Sequence, residues 1–219
     1  MSDNDPISSD DTPALGTTKR SRTDVYEIIA TVLLGVATVA IAWSANQSNL
    51  WGGTQDKRLA ESVRVANDAT DSLQLADSVR QLDQLLFIEL LAEVSGPDDD
   101  FTPRAEQIVD NMSLEGADAV FAWANGEVEA PFQDEVYLDA LFTEGAELEQ
   151  ESNVLYDEGV EANTNGDRYV LASTLMAAVL FFAGISTVLS GIRTRQALLG
   201  IATVALVGSI GYMLTLPLA

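Results

Sequence analysis

The chain has 219 residues, of which 34 are Asp or Glu and 11 are Lys or Arg, giving a formal charge of −23. A phosphate backbone needs a basic stripe, which this balance excludes, so nucleic acid is not expected as a partner. Cysteine and histidine are both absent, which removes disulfides, thiolate nucleophiles, the commonest metal ligands and the side chain that titrates near neutral pH.

The lysines are only Lys19 and Lys57, and so acidic a balance is halophile-like. A dense carboxylate surface stays hydrated in concentrated salt, and the salt screens its self-repulsion. A surface for cations or a basic partner is the competing reading, disfavoured because the acids are spread over the whole polar region.

Residues 1–18 are rich in Ser, Thr, Asp and Pro, too polar to bury a core, and are expected to be disordered. With Lys19, Arg20 and Arg22 they form a predicted cytoplasmic tail over residues 1–24. Residues 25–45 are the first predicted transmembrane helix. Their run IIATVLLGVATVAIAWSA (28–45) has no charge and is flanked by Tyr26, Trp43 and Trp51, aromatic types that favour the headgroup level. Ala40-Ile41-Ala42 fits a small-x-small cleavage site, but an acidic 27-residue leader is a poor start for a signal peptide.

Residues 46–168 carry 28 acids and six bases and read as helical. No Pro or Gly occurs from 54 to 94, and Leu73, Ala76, Val79, Leu82, Leu86 and Leu90 recur at helical spacing. Gly96-Pro97-Asp98-Asp99-Asp100 is the expected stop. Thr102, followed by Pro103, is a predicted N-cap for a short helix to about Met112, and Ser113 caps another that ends at Asn125-Gly126.

After Pro131 a second long helix is predicted to run to about Asn163. Leu141, Gly145, Leu148, Ser152, Leu155, Gly159 and Ala162 alternate large and small at heptad steps, which asks for a close antiparallel partner, most simply the 54–94 helix. Trp123 and Phe121 are expected in the core. The predicted fold is all-α: three transmembrane helices, with an extracytoplasmic helical hairpin or irregular four-helix bundle between spans one and two.

Asn163-Thr164-Asn165-Gly166-Asp167 is the expected helix stop and linker. The second span, 169–189 (YVLASTLMAAVLFFAGISTVL), is 21 residues without a charge, roughly 31 Å as a helix, the thickness of a hydrocarbon core. A loop over 190–196 holds Arg193 and Arg195, and residues 197–216 form the third span. Basic residues concentrate on the cytoplasmic side. Lys19, Arg20 and Arg22, with Arg193 and Arg195, therefore place the amino terminus and the last loop inside. The chain is thus expected to be a multi-pass cell-membrane protein with its acidic domain and carboxyl terminus outside.

Each span carries small residues suited to helix packing: Gly35 and Ala42; Ser173, Ala177 and Gly184; Gly200, Gly208 and Gly211. They are expected to close a three-helix monomer, or alternatively a homo-oligomer. No span holds an ionisable residue other than tyrosine, which argues against an autonomous pump or secondary transporter.

Asp98-Asp99-Asp100 and the acids of 144–151 lack an EF-hand pattern and read as solvated surface. Phosphate loops and nucleophile elbows are missing. No catalytic, cofactor-binding or metal-binding residue is assigned. Of the sequons at Asn46 and Asn111, Asn111 is the better acceptor, because Asn46 directly follows the first span.

AWSANQSNLWGG (42–53) and EANTNGDRYVLASTLMAAVLFFAGIS (161–186) resemble segments of a family of uncharacterised three-span membrane proteins of bacteria and haloarchaea. The resemblance implies one span, a helical extracytoplasmic domain and two closing spans, and it implies no activity or ligand. The function expected is that of a non-enzymatic integral membrane protein whose acidic domain mediates self-association or contact with an envelope partner. The alternatives are an accessory or sensory subunit of a transporter or signalling complex, and an oligomeric channel.

Overall fold

The structure, a computed structural model, describes residues 22–95 and 102–219. Among these the regular elements are α1 (Arg22–Val94), α2 (Pro103–Asp110), α3 (Leu114–Ala124), a 3-10 turn at Pro131–Gln133, α4 (Glu135–Val188) and α5 (Ile192–Met213). The fold is all-α, and α1, α4 and α5 are long and apolar enough to cross a membrane. The expected tail, with Lys19 and Arg20, and the expected stop from Gly96 to Asp100 lie outside the described residues; Arg22 opens α1.

The chain divides into two compact units. One comprises the chain up to Ala45 together with Tyr169–Leu216; the other comprises Asn46–Arg168 with Pro217–Ala219.

In the first unit the core is built by Ala30, Leu33 and Ala37 of α1, Met176, Val179 and Ala183 of α4, and Leu199, Ala202 and Leu206 of α5. On each helix these recur at steps of three and four, one stripe per helix. Polar contacts close both ends of the stripes. Ser44 Oγ donates to Met213 Sδ at 3.5 Å, and Gln196 Nε2 donates to the Tyr26 hydroxyl at 2.6 Å. Val39, Phe181, Val188 and Val204 face outward and are exposed, the arrangement a lipid solvent rewards.

α5 starts at Ile192, so the expected loop over 190–196 is shorter and both arginines stand on the first turn of a helix. Arg193 is exposed, whereas Arg195 is buried, its Nη2 3.5 Å from Glu27 Oε1.

In the second unit α1 and α4 run antiparallel. Trp51 lies against Gly166, Leu59 against Gly159 and Leu73 against Gly145, while Ser62 pairs with Ser152. The serines bond reciprocally: each hydroxyl donates to the other's backbone carbonyl, at 2.9 and 3.0 Å. Such a pair needs the two backbones close. Gly145, Ser152, Gly159 and Gly166 supply that closeness at seven-residue intervals, where larger residues would hold the helices apart.

This repeat also explains one failed expectation. Asn163-Thr164-Asn165-Gly166-Asp167 does not end the helix; α4 continues through it to Val188. Glycine in a helix interior costs about 1 kcal/mol relative to alanine, but Gly166 faces α1, where a Cβ would sit 3.5 Å from Trp51 Cβ and 3.6 Å from the Ser48 carbonyl oxygen. The polar neighbours bond within the helix: Thr164 Oγ1 donates to Val160 O at 3.0 Å, and Arg168 Nη1 to Asn165 Oδ1 at 3.2 Å. Packing and local hydrogen bonds outweigh the stop signal.

The helix face on α1 differs from expectation at one position. Ala76 and Leu90 are buried, but Leu82 is 51 % exposed and its neighbour Asp83 takes the inward place.

Candidate functional site

Asp83 is fully buried, the one acidic side chain among the described residues to be so. It sits where α1 and α4 meet the two short helices. Around it Leu90, Ile108, Met112, Val120 and Phe132 form an apolar cluster, and Phe87 meets Trp123 and Phe132 edge-on at centroid distances of 5.2 and 5.5 Å. A carboxylate removed from water into such surroundings is costly unless its oxygens are hydrogen-bonded.

Three donors satisfy it. The Ser113 backbone N–H donates to Oδ1 at 2.8 Å, the Ser113 hydroxyl to Oδ2 at 2.5 Å, and the Tyr137 hydroxyl to Oδ2 at 3.0 Å. Ser113 is the N-cap of α3, and its Oγ also accepts from Gly116 N at 2.9 Å. The carboxylate therefore lies at the positive end of a helix as well as against two hydroxyls. Gly116 makes room for it: a Cβ there would lie 2.5 Å from the Asp83 carboxyl carbon.

Burial, then the hydrogen bond to Asp83 and that residue's charge, hold the Tyr137 hydroxyl well above the ordinary phenol range; nearby Glu115 adds to this and Arg80 opposes it. Tyr137 is thus a neutral donor at every physiological pH, not a base. Both Asp83 oxygens accept hydrogen bonds, and the side chain is closed off from solvent. The chemistry of this cluster is anchoring: it ties α3, through its cap, to both long helices.

The other expected positions are dispersed. The acids Glu144, Glu147, Glu149 and Glu151 are exposed, and among the described residues no group of three or more acids is placed to hold a metal ion. Asn46 is exposed on α1, within the helix. Asn111 is the exposed C-cap of α2, its side-chain amide donating to Gln107 O at 2.7 Å.

Within the single chain, the small residues expected to pack the spans against one another do not make those contacts. Gly35, Gly184, Gly200, Gly208 and Gly211 have nothing within 4 Å of a Cβ position, Ala42 and Ala177 are exposed, and Ser173 bonds back to Val170 O. The close contacts use Ala30, Ala37, Ala183 and Ala202 instead; a small residue signals a close approach only on the face its neighbour occupies.

Phe121, expected in the core, is 52 % exposed, and Trp123 is 36 % exposed with its ring on Phe87. Apolar periodicity alone does not reveal Asp83, although its position continues the heptad of Val65, Ala69 and Ala76. An acid falling in register inside an apolar stripe is the signal that finds it.

No family model, curated protein or solved structure matches this chain.

Proposed function

We propose that the chain is an integral membrane protein whose acidic helical region lies outside the cytoplasm and acts by binding other proteins rather than by catalysis. The observation that carries this reading is the use made of Asp83. Among the described residues the one deeply buried carboxylate is spent on three structural hydrogen bonds, while the other acids stay outside the core as a solvated surface. The outward valines and Phe181 of the first unit supply the apolar exterior that a bilayer accepts.

The positive-inside bias of Arg193, Arg195 and the amino-terminal basic cluster supports an external acidic domain. The acid excess suits a high-salt exterior. The test is photo-crosslinking in the membrane from exposed Val136 and Val154, each replaced in turn by a photoreactive residue. Discrete adducts of defined mass are expected from at least one position. Absence of adducts from both, in protein that is folded and inserted, overturns the interaction reading.

A further inference from the structure

The surface between α2 and α3 has features that the Asp83 anchor does not explain. It is a groove of about 540 Å³, with an apolar floor and walls from Val109, Met112, Leu114, Ala117 and Phe121. Leu114 is 74 % exposed and Phe121 52 %. They lie seven residues apart, two turns along one face of α3, while Gly116, Ala119 and Val120 face the core. The rim is acidic: Glu106 and Asp110 from α2 and Asp118 from α3.

Among the described residues no Lys or Arg forms an ion pair with these acids. α3 has none, and the single base on α2, Arg104, is engaged by Glu89 at 2.8 Å and Glu93 at 3.6 Å. We propose that this groove binds a basic amphipathic helix of another protein, its apolar side against Leu114 and Phe121 and its Lys or Arg residues over Glu106, Asp110 and Asp118. An apolar trough with a charged rim is how helices are received in grooves, and the rim sets which charge is accepted. The unit's net −22 repels a second copy presenting the same acids, and it repels anionic lipid. The proposal rests on the interaction reading and names its partner's chemistry.

The test uses the full chain in detergent with short synthetic helices as probes: one with a leucine face and a lysine face, and one of the same composition scrambled. The amphipathic probe is expected to bind at least tenfold more tightly than the scrambled one. L114S/F121S is expected to weaken it at least tenfold. E106Q/D110N/D118N is expected to weaken it severalfold and to flatten its dependence on salt. All five positions are on the surface, and unchanged helicity confirms that each variant is folded.

Equal binding of the two probes, or binding indifferent to L114S/F121S, overturns the proposal by showing only diffuse attraction to an acidic chain. The crosslinking from Val136 and Val154 is repeated on L114S/F121S. Adducts that persist there after the groove has failed leave the broader interaction reading standing; no adducts in either protein sink that reading separately.

Discussion

Tyr137 of α4 donates its hydroxyl to Asp83 of α1 across 3.0 Å, joining residues 54 apart in sequence. Because the same carboxylate receives the backbone and side chain of Ser113, this bond is one strand of a knot linking three helices. Asp83→Asn replaces an acceptor of three bonds by an amide that presents N–H groups to donors. It is expected to destabilise the region by roughly 2–4 kcal/mol, and Tyr137→Phe by about 1–2 kcal/mol. Hydrogen exchange checks this locally: α3 amides lose protection in Asp83→Asn, while those around the Ser62–Ser152 pair do not.

Glycines in this chain separate into two kinds, and alanine distinguishes them. Gly116→Ala places a Cβ on the Asp83 carboxylate and Gly145→Ala places one 2.6 Å from Leu73 Cγ, so each is expected to cost about 1–3 kcal/mol. Gly53 has nothing within 4 Å of its Cβ position, and Gly53→Ala gains up to about 1 kcal/mol of helix propensity. Denaturant midpoints of the three variants in one detergent give the order directly.

Alkaline pH acts through Tyr137. Its hydroxyl ionises near pH 10 in the unfolded chain and higher in the fold, chiefly because of burial and then Asp83. The stabilisation is therefore complete below about pH 10 and is lost as pH rises through that value toward the folded one, because the unfolded state sheds its proton first. The stability difference between the natural chain and Tyr137→Phe is expected to be constant from neutral pH to about 9 and to shrink above 10. A gap that widens above 10 contradicts the assignment.

Topology is open to direct labelling because the chain has no cysteine. Asp139 and Ser190 are exposed. A membrane-impermeant maleimide applied to intact cells is expected to modify Asp139→Cys and to spare Ser190→Cys until the membrane is opened. The reverse pattern inverts the orientation drawn from Arg193 and Arg195.

Much of the helical framework was readable, for identifiable reasons. Thr102 and Ser113 are side-chain caps at the starts of α2 and α3, and Gly126 takes the positive φ of 77° just past α3: local chemistry that short stretches of sequence encode. The large–small alternation from Leu141 to Ala162 announced a close neighbour. What escaped depended on which neighbour occupies which face. Gly166 looked like a stop because its packing against Trp51 is a tertiary fact. Leu82 looked inward and Asp83 outward because hydropathy alone cannot see two hydroxyls and a helix N-terminus arriving from elsewhere in the chain. The exposure of Phe121 was hidden in the same way, since an aromatic residue on a short helix reads as core until the helix's orientation is known.

Whether this membrane protein works by holding other proteins is decided by the native mass of the chain extracted in mild detergent at high salt, with every bound chain identified by its peptides. A complex heavier than one chain, containing a reproducible partner with a basic amphipathic helix, is expected. A folded, homogeneous single chain, extracted from its own membrane and bound to nothing, contradicts it.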